Sequence, residues 1–293
     1  MKKEHHMNRP LINTRRRLLL GQTAVGASLV MGGPLARAAL GNRSTVDVTE
    51  GPYFVDELLN RSDIRVDPTD GSTQAGLLLL LSVSVSTLDT TTGVTKPLPG
   101  AHVDLWHCNA MGLYSDVSAN GTVGKKFLRG YQVSNSQGKV QFRSIYPGWY
   151  SGRSPHIHCK VRQFASGVQT SALTTQFFFD EQLTQLIYTD SNLAYHTHGL
   201  PDQPHVTDQV YTGTNSCIPG AVAGDSLKLS LVRTASYVSA KFDILIDASN
   251  RCSSTETRSG AGAGPGGPGG PGGPGGPGGT PPSLPPGVTP ATS

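Results

Sequence analysis

Charge is scarce in this 293-residue chain: only 15% of residues are Asp, Glu, Lys or Arg. After the first 38 residues no apolar run approaches the roughly 20 residues that a membrane helix needs, which argues against membrane insertion of the mature form. Helical periodicity is missing too. No segment keeps a 3.6-residue apolar repeat over several turns, so a helical bundle is excluded. No pair of cysteines has the Cys-x-x-Cys spacing, which removes zinc ribbons and thioredoxin-like sites. A basic surface for nucleic acid is lacking despite a formal net charge of +4 and a pI near 8.9. Residues 1–38 hold seven Lys/Arg and only Glu4, leaving 17 bases against 19 acids in the remainder. That balance disfavours a nucleic-acid partner. At 36% hydrophobic the chain is too apolar for a disordered protein, and 36 Gly with 21 Pro are too many for an all-helical one.

The N-terminus reads as an export leader over residues 1–38. A basic region precedes a mostly apolar run from Leu18 to Met31, followed by the small-residue site Ala36-Arg37-Ala38. Thr14-Arg15-Arg16-Arg17-Leu18-Leu19 carries the paired arginines of a twin-arginine signal, against the simpler reading of an ordinary secretory leader with extra charge. A twin-arginine route exports folded proteins and so suits a chain that captures a metal before leaving the cytoplasm, because metal sites form only with the fold. The expected location is therefore periplasmic or extracellular.

Residues 39–257 read as one all-β domain. Short runs rich in branched and aromatic residues, such as Leu77–Val85, Ala101–Trp106, His156–Val161 and Lys241–Ile246, alternate with turn signals such as Leu98-Pro99-Gly100 and Pro147-Gly148. The expectation is an antiparallel β-sandwich, transthyretin-like or immunoglobulin-like, with long loops and few short helices, Glu181 to Tyr188 being the best helical candidate. Cys108, Cys159, Cys217 and Cys252 allow three full pairings, while buried free thiols suit Cys108 and Cys159 equally well. Residues 258–293 change composition completely: five Pro-Gly-Gly units and a Thr/Pro/Ser tail read as a flexible, solvated extension.

Chemistry concentrates in Tyr150-Ser151-Gly152-Arg153-Ser154-Pro155-His156-Ile157-His158. In an extended strand residues two apart share a face, so His156 and His158 present both imidazoles to one volume. Alone, that pair equally suits the wet face of a strand, with Ile157, Cys159 and Val161 inside. Two loop tyrosines change the balance: Tyr150 just before the strand, and Tyr114 at the end of Val103–Tyr114. Two phenolates and two imidazoles make a hard, anionic donor set, which fits ferric iron better than softer metals.

The chain resembles the intradiol ring-cleavage dioxygenases, in particular their exported catechol- or protocatechuate-dioxygenase-like branch. The matching pieces are Glu50-Gly51-Pro52-Tyr53-Phe54, the block from Leu98 to Tyr114, Phe127-Leu128-Arg129-Gly130 with Phe142-Arg143, the block from Tyr150 to His158, and Leu173-Thr174-Thr175-Gln176-Phe177. The resemblance implies one Fe(III) per chain held by Tyr114, Tyr150, His156 and His158, with Tyr150 and His158 axial and Tyr114 and His156 equatorial. It also implies that Arg153 and Gln176 lie beside a catechol-type substrate, and that Tyr150 accepts a substrate proton. O2 would then open the ring between the two hydroxyl-bearing carbons, giving a muconate-type product without an external reductant.

Some features fall outside that pattern. The long helical dimerisation segment of cytoplasmic catechol dioxygenases finds no room here, which leaves the oligomeric state open, a homodimer being one option. His196, His198 and His205 have no role in the resemblance. Lys125, Lys126 and Arg129 follow Tyr114 and are candidates for pairing with a carboxylated ring, although uncharged catechols are the slightly favoured substrates. The competing reading is a non-catalytic exported carbohydrate- or wall-binding sandwich; a zinc hydrolase is weaker, because no carboxylate base accompanies the histidines. Since the Pro-Gly-Gly tail lacks apolar residues to dock, deletion of Ser259–Ser293 should leave catechol cleavage and thermal stability nearly unchanged. Oxygen uptake and a melting curve of the truncated protein check this.

Overall fold

The computed structural model describes residues 29–31 and 43–255. Chain packing separates Met1–Thr257 from Arg258–Ser293. The Pro-Gly-Gly tail and the paired arginines of the expected export leader lie outside the described residues. Of the residues expected to form a leader only Leu29–Met31 is described, as a short strand, β1.

Strand β2, Leu78–Leu88, shows how the sequence becomes a sandwich. Its text Leu-Leu-Leu-Leu-Ser-Val-Ser-Val alternates along the pleat, so Leu79, Leu81, Val83 and Val85 are all buried while the residues between them are half-exposed. Each such buried side chain contributes about 1.5–3 kcal/mol relative to exposure. One edge of β2 pairs with β6, Lys139–Ile145, and then with β3, Thr95–Pro97, both antiparallel. Its other edge pairs with β11, Tyr237–Ile246, in parallel. Strand β10, Ser230–Arg233, joins β11 and β1 antiparallel and completes this first sheet. The expected sandwich is present, and its one long parallel pair is what sequence runs cannot reveal, since strand direction depends on the connections.

The second sheet runs in the order β5 (Arg129–Val133), β4 (His102–Trp106), β7 (His156–Ala165) and β8 (Val168–Phe178), all antiparallel. A two-residue turn at Ser166-Gly167, with φ of 51° and 79°, closes the hairpin between β7 and β8. The inward faces of the two sheets form a single core, in which Phe177 of β8 meets Phe242 of β11 at 4.5 Å between ring centres. Helix α1, Glu181–Tyr188, follows β8; the Asp180 side chain caps it by accepting from the Leu183 amide at 2.8 Å. Leu183, Ile187 and Tyr188 are its buried face. Further on come a one-turn helix α2, Gln209–Thr212, and the short pair β9 (Thr214–Asn215) and β12 (Ser254–Thr255). Among the described residues no helix is long and apolar enough to cross a membrane.

Cys217 and Cys252 form a disulfide across 35 residues, and Cys108 and Cys159 are buried free thiols. The bridge joins the segment after β9 to the one before β12, and Ser44 closes on it by donating to Cys252 Sγ at 3.2 Å. A 35-residue crosslink constrains the unfolded chain by about 2–4 kcal/mol. Replacing Cys217 and Cys252 together by serine should lower unfolding stability by about that amount in urea titrations. Serine at Cys159, which sits in the sandwich core, should act separately by polar burial.

Candidate active site

Register on the second sheet assembles the site. Arg129, Trp106, His158 and Gln176 are direct partners across β5, β4, β7 and β8, so the four occupy one row and share one face. His156 lies two residues back along β7 on the same face, while Ile157, Cys159 and Val161 point into the sandwich core. The face that carries the histidines is the one opposite the core, as the wet-strand alternative supposed. It is not wet, however: His156 and His158 are 2% and 1% exposed. Long loops cover this face, which is why nearly the whole first half of β7 is buried on both sides.

Three loops supply the cover. Gly51-Pro52-Tyr53-Phe54 brings Phe54 against Trp106 at 4.9 Å and Tyr53 against Tyr114 at 4.5 Å between ring centres. The loop after β4 carries Tyr114, which is fully buried, its amide anchored on the Asn120 side chain. The loop after β6 carries Tyr150 and turns back at Arg153, whose amide donates to the Tyr150 carbonyl at 3.2 Å. Ring centres then stand at 5.7 Å for Tyr114 and Tyr150, 5.7 Å for Tyr150 and His156, 6.2 Å for Tyr114 and His158, and 4.7 Å for the two imidazoles. All four residues singled out as metal ligands thus converge in one volume. Arg153 and Gln176 join them: Arg153 Nη2 donates to Gln176 Oε1 at 2.6 Å, and Gln176 Nε2 donates to the Thr49 carbonyl at 2.9 Å.

Desolvation sets the protonation states. Burial, reinforced by the Arg153 charge, drives both His156 and His158 well below the usual histidine range, so both imidazoles are neutral. His156 Nδ1 sits 2.6 Å from the Ser154 carbonyl, an acceptor only, so Nδ1 carries the proton and Nε2 keeps its lone pair. That Nε2 lies 3.1 Å from His158 Nε2. Burial also raises both phenols, Tyr150 to about 12 with Arg153 working against the rise, and Tyr114 well above its usual value. The Tyr114 hydroxyl is buried with no hydrogen-bond partner in the protein, as is His158 Nδ1. An unpartnered buried polar group costs about 1–3 kcal/mol. Converging neutral nitrogens with one phenol wholly unsatisfied fit a hard trivalent cation, whose charge would favour the phenolate forms. Among the described residues no three His, Cys, Asp or Glu side chains gather, so this donor set depends on tyrosine.

Other candidates land elsewhere. Lys125 pairs with Asp70 at 2.7 Å and Lys126 with Glu57 at 2.5 Å. Arg129 is buried and donates to Ser115 Oγ, the Ser115 carbonyl and the Tyr53 carbonyl, so it pins two of the covering loops. His196, His198 and His205 do not form a cluster: His198 Nε2 donates to the Trp149 carbonyl at 2.9 Å, and His205 stacks on Tyr211 at 4.2 Å. Sequence reasoning gave no role to Trp106, which stacks on His158 at 4.9 Å and 10°, or to the buried Asp208, which holds Arg153. The first was legible only from strand register, and the second lies 55 residues from its partner.

Residues 49–195, half of the chain, match the family model described as Dioxygenase. The chain belongs to the intradiol ring-cleavage dioxygenase family. It is similar to catechol 1,2-dioxygenase 1 of Acinetobacter lwoffii, 32% identical over 96 residues, covering 28% of this chain and 31% of that protein. Chlorocatechol 1,2-dioxygenase of Pseudomonas putida is 26% identical over 186 residues, covering 57% and 64%. The chain therefore spans less than two thirds of the length of these curated relatives. Among solved structures, the intradiol ring-cleavage dioxygenase from Tetranychus urticae aligns with a TM-score of 0.57 and 28% identity, over 71% of this chain and 96% of that one. The sandwich described above is thus the fold that this chain shares with that structure.

Gly51 explains one close approach in the site. It has φ of 70°, and a Cβ there would come within 3.2 Å of His158 Cε1. Gly51→Ala should therefore cost about 1–2 kcal/mol of stability through the left-handed backbone alone. It should also displace His158, measurable as a shift of that imidazole's NMR signals alongside the lowered melting temperature.

Proposed function

We propose that this protein is an exported, non-haem Fe(III) dioxygenase that cleaves catechol-type rings between the two hydroxyl-bearing carbons to give muconate-type products. The observation that carries the reading is the convergence of Tyr114, Tyr150, His156 and His158 in one dry volume. These four would hold one ferric ion per chain. When bound, the ion supplies Lewis acidity that eases loss of the catechol protons and makes the ring carbon susceptible to O2.

The protein's own residues do the rest. Tyr150, on a loop and half-buried, is the side chain able to move; its phenolate oxygen accepts a catechol hydroxyl proton. Tyr114 is fully buried among Trp106 and Cys108 and remains a fixed donor. The neutral Nε2 of His156 is aimed by its Nδ1–H bond to Ser154. Arg153, held by Asp208 and Gln176, keeps a fixed positive charge beside the two phenols and stabilises negative charge that develops on the ring oxygens. The covering loops exclude water, which strengthens that interaction. Both atoms of O2 enter the product, so no external reductant is consumed.

Further features support the finer parts of the reading. Lys125, Lys126 and Arg129 are committed to other partners, which favours an uncharged catechol over a carboxylated ring. A disulfide suits an oxidising compartment, in keeping with the leader. A carbohydrate-binding module would present its aromatic rings to solvent, whereas Tyr114 and Trp106 are each 1% exposed.

The purified protein should contain one iron per chain, show phenolate-to-iron charge-transfer colour, and consume oxygen with catechol in preference to protocatechuate. Tyr150→Phe should keep some iron and colour but bind catechol slowly, while Tyr114→Phe should weaken iron binding more and alter the colour. A colourless zinc protein, or wild-type kinetics and spectrum in Tyr150→Phe, would overturn the assignment.

A further inference from the structure

Asp208 is the most heavily used carboxylate near the site, and nothing in the donor set requires it. Its side chain is wholly buried. Oδ2 accepts from Ser154 N and Ser154 Oγ, each at 2.8 Å, and from Arg153 Nε at 3.1 Å. Oδ1 lies 3.2 Å from the same Arg153 Nε and accepts from Val210 N at 2.9 Å and Tyr211 N at 3.2 Å, capping α2. A buried carboxylate requires this many donors to remain ionised at acceptable cost.

The partners matter more than their number. Arg153 and Ser154 are adjacent, and both lead into the site. The guanidinium is gripped at Nε by Asp208 and at Nη2 by Gln176, two points of a rigid plane, so its orientation is fixed. Gln176 is itself fixed, because its amide nitrogen is committed to the Thr49 carbonyl. Ser154, held at both N and Oγ, presents the carbonyl that accepts from His156 Nδ1 at 2.6 Å. One carboxylate thus orients a cation beside the phenols and, through a single residue, the tautomer and ring of an imidazole.

We propose that Asp208 is a positioning residue for ring cleavage, acting through Arg153 and through the Ser154 carbonyl on His156. The inference rests on the dioxygenase reading of the site, and it also makes the segment from Asp208 to Thr212 part of the active-site support. The two arms are separable: Arg153 affects charge development on the substrate, whereas Ser154 affects how firmly His156 is held.

Asp208→Asn, Arg153→Ala and the double variant test it, by catechol-dependent oxygen uptake per bound iron and by the Arg153 Nε–H resonance in protein loaded with gallium(III), a diamagnetic stand-in for iron. Asp208→Asn should lower kcat per iron by ~10-fold to 100-fold, the usual range for loss of a supporting partner. The double variant should be slower than Arg153→Ala alone by much less than the full Asp208→Asn effect, the remainder being the Ser154 arm. The Nε–H of Arg153 should be slow to exchange in the wild type and lose that protection in Asp208→Asn. If Asp208→Asn does not fold, Asp208→Glu replaces it: the carboxylate stays but is shifted by one methylene from Arg153 Nε and Ser154, and a fall in kcat with weakened Nε–H protection is expected. Wild-type kcat per iron in the variant that folds, a full additive loss in the double variant, or unchanged protection of Nε–H would overturn the proposal. If the wild type cleaves no catechol, the functional reading falls instead, while the Nε–H measurement still decides whether Asp208 orients Arg153.

Discussion

Two imidazoles and two phenols that share a volume closed to water constrain most of what surrounds them. Polar groups out of water must be partnered, and a strand with polar residues on the face away from the core is stable only if something covers that face and satisfies it. The covering loops, the Arg129 contacts to Ser115 and Tyr53, and the Asp208 contacts to Arg153 and Ser154 all answer that requirement. Among the described residues, three of the five buried side-chain atoms left unsatisfied, Tyr114 Oη, His158 Nδ1 and Trp106 Nε1, lie at the site itself.

The sandwich provides the rigidity this needs. Strand β7 has neighbours on both edges and the sandwich core behind it, so His158 cannot shift without disturbing two ladders, nor His156 without disturbing its pairing with Phe178. Tyr150 stands on a loop and is half-exposed, beside a fully buried Tyr114. The two phenols, of the same chemistry, differ in burial because each comes from a different covering loop. Function in this family member is therefore carried on the outside of a fold whose stability is made on the inside.

Histidines that the motif left unassigned find roles of the same kind. His198 bonds the carbonyl of Trp149, the residue before Tyr150, and Trp149 Nε1 donates to the Gly199 carbonyl at 3.0 Å. The segment from 193 to 212 is thus a second layer that holds the Tyr150 loop and Arg153 from behind. A histidine-rich loop suggests a metal site, but here His198 donates to a carbonyl, His205 stacks on Tyr211 and His196 is exposed.

The strand run at Leu77–Val85, the helix at Glu181–Tyr188 and the turn signals were legible in the sequence because they follow from local rules: clustered branched residues and Gly or Pro at turns. The His-x-His spacing put both imidazoles on one side for the same reason, and the order of motifs identified the companions Tyr114, Tyr150, Arg153 and Gln176. Tertiary structure alone decided that this side is dry, that Trp106 and Gln176 flank His158 in one row, that β11 runs parallel to β2, and that Cys217 pairs with Cys252. Asp208 belongs to that second group. A carboxylate that works through a contact 55 residues away leaves no periodic trace, because register and loop docking, unlike alternation, are properties of the folded chain.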